Sequence, residues 1–338
     1  MTTESTTPRH ILEVAFAFRS SKTLLAAVEL GLFKVLGEDR CDATSIAHRV
    51  GLHDRGARYF LDALVECDLL NCDGDGLYSN TAESKRFLDP SSGEYVGDAL
   101  HRLSTRVYGN WNGLTSALRT GQPQSGAFGT GGYDALYSDA TELDAFLRAM
   151  TGSSMLLARA LAVTLPWGEY RSIVDIGTAE GCIPVQIAAT HPHLTAVGFD
   201  LPEVEISFRR YVARNAQTDR VQFRSGDFFH DPLPSADVIV MSRVLHNWSI
   251  PVKQMLLRKA YAALPERGAL IVCEALLDDA RKGRLDALLA NLHMLIETAD
   301  GGEATSVDYT CWLRDAGFRN VKIVHLGCVQ SAIIATKN

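Results

Sequence analysis

The chain has 338 residues, 46% of them apolar and 22% charged, with a net charge of −7 and a pI of about 5.8. That length holds more than one compact unit and a well-buried core. The acidic balance gives no general affinity for nucleic acid or for an anionic membrane surface, and no apolar run reaches the roughly 20 residues that a bilayer needs.

The first residues are rich in Thr and Ser and lack the basic-then-apolar pattern of a secretory signal, so a cytoplasmic protein is expected. Cys41, Cys67, Cys72, Cys182, Cys273, Cys311 and Cys328 are scattered with no C-x-x-C pair, and read as small core residues in a reducing compartment. Over residues 10–37 the apolar spacing is helical: Ile11, Leu12, Val14, Ala15 and Phe18, then Leu24, Leu25, Val28, Leu32 and Val35, with Gly31 as punctuation. This is more apolar helix than one small unit covers, so a homodimer is expected.

A helix over 43–50, a turn at Gly51-Leu-His-Asp54, a second helix over 55–67 and a hairpin over 69–78 with an Asp-Gly turn follow. That order is winged-helix-like, and a DNA-binding regulator is the competing reading. The second helix opens with Arg55 and Arg58 but is otherwise apolar or acidic, and the wing carries Asp73 and Asp75 with no base. Phosphate repulsion favours a dimerisation or lid role over a nucleic-acid partner.

Residues 89–136 are rich in Gly, Ser, Gln and the aromatics Tyr95, Tyr108, Trp111, Phe128 and Tyr133, with a helix expected over 101–118 and a loop over 121–132. Tyr108, Asn110, Trp111 and Asn112 can face an aromatic ligand or serve as packing. Helices over 139–150 and 153–165 lead to a boundary at Pro166-Trp-Gly168. The expected division is a helical, winged-helix-like unit over 1–100, a helical linker over 101–168 contributing to an acceptor pocket, and an α/β unit over 169–338.

That last unit begins at Ser172-Ile-Val-Asp-Ile-Gly-Thr-Ala-Glu-Gly181, a short β-branched strand running into a glycine-flanked turn and a helix over 182–191. Strands are expected over 194–199, 220–225, 236–241, 269–273, 320–325 and 330–336. Helices are expected near 203–215, 251–264, 285–298 and 306–316. The alternation implies a mostly parallel, Rossmann-like sheet with an antiparallel strand at one edge.

Open sheets of this kind bind nucleotides past the carboxyl ends of their strands. The turn here is Gly177-x-x-x-Gly181 with Glu180 inside it, where a dinucleotide site would have G-x-G-x-x-G and admit a pyrophosphate. The acid opposes a dinucleotide dehydrogenase and welcomes a cationic ligand. S-adenosylmethionine, with its sulfonium and ammonium, is such a ligand. Asp200 ends the second strand, where an acid accepts ribose hydroxyls. Ser225-Gly-Asp-Phe-Phe229 offers Asp227 to an adenine amino group and Phe228 to its ring. His246, in Met241-Ser-Arg-Val-Leu-His-Asn-Trp248, lies just past another strand end, and a histidine is suited to take a proton near neutral pH.

Together these stretches resemble the S-adenosylmethionine-dependent small-molecule O-methyltransferases related to plant caffeate and bacterial polyketide O-methyltransferases, with their N-terminal dimerisation domain. The resemblance covers nearly the whole chain. It is carried most specifically by Gly226-Asp-Phe-Phe-His-Asp-Pro-Leu-Pro-Ser-Ala-Asp237, Ser242-Arg-Val-Leu-His-Asn-Trp248 and Gly301-Gly-Glu-Ala-Thr305.

The resemblance implies that Asp175, Gly177 and Gly181 shape the cofactor turn. It places Asp200 and Leu201 at the ribose, Gly226, Asp227 and Phe228 around the adenine, and Ser242 and Arg243 toward the methionine end. His246 is then the general base, oriented by Glu274 and Glu303. Asn291, Met294, Tyr108, Trp111 and Trp248 are assigned to an aromatic acceptor, and no metal is called for. Two departures stand out: Thr178 and Ala179 replace glycines of the usual turn, and Asn247 stands where many relatives have Asp. The reaction implied is O-methylation of an aromatic or heteroaromatic natural product. C-methylation of an activated phenol ring and a non-catalytic ligand-binding regulator are the alternatives.

Overall fold

The structure is a computed structural model that describes residues 6–125, 136–280 and 284–338. Phe128 and Tyr133, singled out above, lie outside the described residues. The chain divides into two compact units, Met1–Tyr108 and Gly109–Asn338.

The first unit opens with helices α1 (Arg9–Phe16), α2 (Phe18–Glu29) and α3 (Leu32–Leu36). Gly31 separates the last two from the left-handed region, φ 67°. Asp42 then starts α4 (Ala43–Val50) by accepting from the backbone N–H groups of Thr44 and Ser45. After α5 (Asp54–Glu66), strands β2 (Leu70–Cys72) and β3 (Leu77–Asn80) form the expected hairpin. Asp73 Oδ1 accepts from Asp75 N and Leu77 N and so folds the turn. The short strand β1 (Cys41–Asp42) joins them in the order β1-β3-β2. Leu32, Phe33, Leu36, Leu61 and Leu64 fill the core beneath. Helix α1 buries nothing within the unit: Ile11 is 71% and Val14 65% exposed.

In the second unit a seven-stranded sheet runs in the order β6-β5-β4-β7-β8-β10-β9. Its strands are β4 (Ser172–Ile176), β5 (Thr195–Asp200), β6 (Val221–Ser225), β7 (Val238–Ser242), β8 (Ala269–Glu274), β9 (Arg319–His325) and β10 (Ser331–Thr336). All pairs among β4 to β8 are parallel. The antiparallel strand, expected at an edge, is internal: β10 pairs antiparallel with both β8 and β9. The reason lies in composition. Ala332, Ile333, Ile334 and Ala335 suit a strand covered on both faces, whereas Arg319, Lys322 and His325 put β9 at the wet edge.

Two helix expectations change. Residues 101–118 form no single helix; the turns break into short pieces, the last of them α6 (Leu114–Thr120). The two helices expected over 139–165 are one, α7 (Ala140–Thr164), with Gly152 and Ser154 buried within it. Of the cysteines, Cys182 and Cys273 are core residues, while Cys72 and Cys311 are exposed thiols.

Between β4 and helix α8 (Cys182–Thr190) the backbone enters the left-handed region at Gly177 (φ 69°), Ala179 (φ 53°) and Gly181 (φ 88°). A Cβ on Gly181 would stand 2.6 Å from the Phe208 ring, and one on Gly198 would meet both Phe208 and Thr178. Ala179 is the position where the sequence departs from glycine at a positive φ. We expect Ala179→Gly to raise unfolding free energy by about 0.5–1 kcal/mol in urea denaturation, since an L side chain there costs roughly 1–2 kcal/mol and glycine returns part of that as entropy. Gly198→Val should lower it by several times as much. Equal or opposite shifts would show that the turn carries no such strain.

Candidate active site

The carboxyl ends of β4, β5, β6 and β7 open onto a cavity of about 660 Å³ within the second unit, a size suited to a nucleotide-like ligand. Asp175 and Gly177 reach it from β4, Asp200 and Leu201 from β5, Gly226, Asp227 and Phe228 from β6, and Ser242 and Arg243 from β7. Trp248 lines it as well, its ring edge-on to Phe229 at 4.8 Å. Gly181 is set back beneath the turn, packed against Phe208.

Asp200 is held as an acceptor. Its Oδ2 takes the N–H of Ala179 at 2.9 Å and its Oδ1 that of Leu201 at 2.8 Å. Burial pushes its carboxyl up to about 6, and that of Asp175 beneath the turn up to about 7. Phe228 and Phe229 meet at 4.8 Å and form an apolar shelf beside Asp227, whose Oδ1 accepts from Phe229 N. Gly226 must lack a side chain because a Cβ would stand 2.5 Å from the Phe199 ring.

One buried hydroxyl of a cavity-lining residue, Ser242 Oγ, has no hydrogen-bond partner in the protein, while the Thr178 hydroxyl sits beside the Asp175 carboxyl. An unpartnered buried hydroxyl is costly unless a ligand satisfies it. Ribose-type acid, apolar shelf and orphaned hydroxyl therefore fit an adenosine carrying a polar tail. Arg243, in the left-handed region at φ 54°, bonds Ser153 Oγ, Ser154 Oγ and Met150 O and so ties α7 to the end of β7.

Glu180 does not play the part expected of it. It is absent from the cavity lining; its Oε2 accepts from Thr151 at 2.8 Å and Arg210 lies 3.8 Å from Oε1. The acid fastens the turn to α7.

Past β7 the chain makes a short turn, Leu245–Asn247, that presents His246. Its Nδ1 stands 2.9 Å from Glu303 Oε1 and 3.3 Å from Glu274 Oε2. Glu274, the last residue of β8 and wholly buried, also accepts the backbone N–H groups of Leu245 and His246 through Oε1. Burial holds the imidazole below its ordinary range, so it is neutral near pH 7. Burial likewise raises both carboxyls. A neutral His246 that donates Nδ1–H to Glu303 leaves Nε2 as a proton acceptor. Asn247 answers the second sequence departure. Its amide donates to the carbonyls of Arg243 and Val244, which a carboxylate cannot do.

His246, Asn291, Met294 and Trp111 are not among the residues that line this cavity. Asn291, expected at an acceptor, uses its Oδ1 to take the N–H of Glu303 at 2.8 Å. Met294 is buried, and its carbonyl accepts from Thr298. Asn110 donates to Glu297 at 2.9 Å. Tyr108 belongs to the first unit, where Lys22 Nζ lies 5.7 Å from its ring. Sequence reasoning missed Lys253, a buried lysine on helix α9 (Ile250–Ala263) whose Nζ donates to the carbonyl of Gly302. A signal existed: Lys253 shares one helical face with Leu256, Leu257 and Ala260, all buried.

Residues 111–319 match the family model described as an O-methyltransferase domain, and residues 12–90 the O-methyltransferase dimerisation domain. The chain is 38% identical to the tetracenomycin polyketide synthesis 8-O-methyl transferase TcmO of Streptomyces glaucescens, over 98% of this chain and 97% of that one. It is 35% identical to the N,N-dimethyltransferase OxyT of Streptomyces rimosus, over 92% and 90%. The crystal structure of human N-acetylserotonin methyltransferase in complex with S-adenosylmethionine superposes with a TM-score of 0.91 at 29% identity, covering 100% of this chain and 99% of that one. With both domain models matched in order and the strand-end cavity in place, the chain belongs to the O-methyltransferase family and is an S-adenosylmethionine-dependent methyltransferase.

Proposed function

We propose that the protein methylates a hydroxyl of an aromatic or heteroaromatic small molecule in natural-product biosynthesis, with His246 as the general base. The observation that carries this reading is the 2.9 Å contact between His246 Nδ1 and the buried Glu303, at the strand end next to the cavity. A phenol of ordinary pKa about 10 needs a base to become a nucleophile at neutral pH. The relative that methylates a polyketide hydroxyl supports the acceptor class.

Asp200 would hold the ribose, Asp227 and Phe228 the adenine, and Ser242 the amino-acid end of the cofactor. When bound, S-adenosylmethionine supplies a methyl group on a sulfonium. The protein's part is to align the acceptor oxygen with that carbon, which is worth about 7–11 kcal/mol of the barrier. His246 Nε2 then takes the hydroxyl proton, while the Nδ1–H bond to Glu303 stabilises the imidazolium as it forms. The N,N-dimethyltransferase relative keeps an amine acceptor as the second reading. A buried base with two acids behind it favours the hydroxyl, because a neutral amine attacks without prior loss of a proton.

His246→Gln should bind S-adenosylhomocysteine as the wild type does, since His246 is outside the cavity lining, and lose about 10²–10⁴-fold in turnover. Calorimetry together with transfer of labelled methyl to hydroxynaphthoates, hydroxyanthraquinones and their amino counterparts would measure both. Full turnover in the variant would sink the base assignment, and label on the amines alone would replace the acceptor class.

Affinity for S-adenosylhomocysteine should also follow Asp200. Ribose hydroxyls donate to its ionised form, so binding is fully present above a pKa of about 6. It should weaken as pH falls through that value, approaching tenfold per unit. Asp200→Asn should bind weakly with a flat profile between pH 4.5 and 7; a wild-type profile flat over the same range would refute the assignment.

The matched dimerisation segment and the uncovered apolar face of α1 lead us to propose a homodimer. Light scattering at micromolar concentration should give twice the chain mass of 36.9 kDa. Ile11→Asp with Val14→Asp should give the monomer. A wild-type monomer would count against the assembly.

A further inference from the structure

Helix α9 buries a lysine, and the mechanism above gives it no task. Lys253 is 3% exposed, fills no role in the cavity lining, and has its ammonium 5.8 Å from the Trp312 ring. Taking an ammonium out of water is expensive unless opposite charge and hydrogen bonds meet it. Here they come from the acids behind His246. Glu274 faces it from β8, Glu303 from the loop after helix α10 (Leu285–Glu297), and Asp308 from helix α11 (Ser306–Asp315). Tyr309 on α11 lies among the same acids, and Arg243 bears on His246 and Glu303 from the end of β7.

The backbone completes the picture. Lys253 Nζ donates to Gly302 O, while Gly302 N donates to His246 O at 2.7 Å. A Cβ on the preceding Gly301 would stand 2.5 Å from that same His246 carbonyl and 2.9 Å from that of Asn247. The Gly301-Gly302 stretch thus lies flat on the turn that presents His246. The next residue, Glu303, is fixed from its backbone by Asn291 and meets the imidazole through its side chain.

We propose that Lys253 is the positioning residue of the base: one buried ammonium clamps the Gly301-Gly302-Glu303 loop onto the His246 turn and offsets the two carboxylates that flank the imidazole. Without that charge, Glu274 and Glu303 face one another with less compensation, and both carboxyls hold their protons to still higher pH. The imidazole loses the positive charge that opposes its own protonation, and this direct effect outweighs the weaker pull of a more protonated acid pair. The cluster as a whole holds protons more tightly, so the free base appears at higher pH.

This inference rests on the reading of His246 as the base, and its test uses neither acceptor nor turnover. In the protein saturated with S-adenosylhomocysteine, ¹⁵N-histidine NMR follows the titration of His246, assigned by loss of its signals in His246→Gln. Lys253→Gln retains a donor for Gly302 O without the charge, and should move the His246 titration up by about one pH unit. Lys253→Arg, which restores the charge, should return it toward the wild-type value. Identical titrations in the wild type and a folded Lys253→Gln would overturn the proposal. Should that variant not fold, ¹⁵Nζ-lysine NMR of the wild type decides: a charged Lys253 ammonium at pH 7 upholds the electrostatic role, and a neutral amine refutes it. Full turnover in His246→Gln would remove the base reading and leave the Lys253 effect on the titration standing, so the two failures are distinguishable.

Discussion

Two carboxylates, Glu274 and Glu303, are held out of water within reach of one imidazole, and the second unit is built around that arrangement. Buried like charges repel, and each acid is raised by loss of solvent. Such a cluster persists only where rigid elements and compensating donors hold it. Glu274 comes from β8, buried along its whole length, and caps the backbone of the very turn it supports. Glu303 comes from a loop, and the loop needs ties of its own: Asn291 at its backbone, His246 O through Gly302 N, and Lys253 through Gly302 O. Gly301 passes too close to the His246 carbonyl for a side chain, and a Cβ on Gly302 would crowd Asn291 Oδ1 at 3.0 Å.

The cofactor side of the unit uses a different economy. Its groups are placed by the ends of parallel strands: Asp200 and Ser242 each stand one residue beyond the partners of Ile176, while Asp175 pairs with Gly198 and Val240 deeper in the sheet. Among them Ser242 Oγ is left without a hydrogen-bond partner in the protein. Around His246 the groups are tied to one another instead: Glu274 Oε1 takes two backbone N–H groups and Glu303 Oε1 meets the imidazole, while the second oxygen of each acid has no hydrogen-bond partner.

Much of this was legible in the sequence. The hydrophobic period changes from helical to strand-like after Trp167, and Gly177, Asp200, Asp227 and Ser242 follow apolar strands in turn, which locates the ligand edge without coordinates. His246 and Glu303 stood out because they lie in stretches whose order resembles a known family. Glu180 shows the limit of such reading. Its place in the turn was visible, but its partners Thr151 and Arg210 lie 29 and 30 residues away on other elements, and only packing brings them together. Asn291 fails in the same way, since a polar residue on a helix beside a ligand and one that pins a loop look alike in a string.

The sequence by itself determined the order of elements and the nucleotide-type edge of the sheet, through local periodicity and turn chemistry. It singled out His246 by its place past a strand end, and Glu274 and Glu303 through the resemblance of their stretches to a known family. Only the tertiary structure decided that α7 is one helix, that β10 lies inside the sheet, that Glu180 is tied to Thr151 and Arg210, and that a buried lysine holds the loop beside His246. Each of these depends on which distant surface covers a given residue, and a linear pattern carries no information about that partner until the chain has closed on itself.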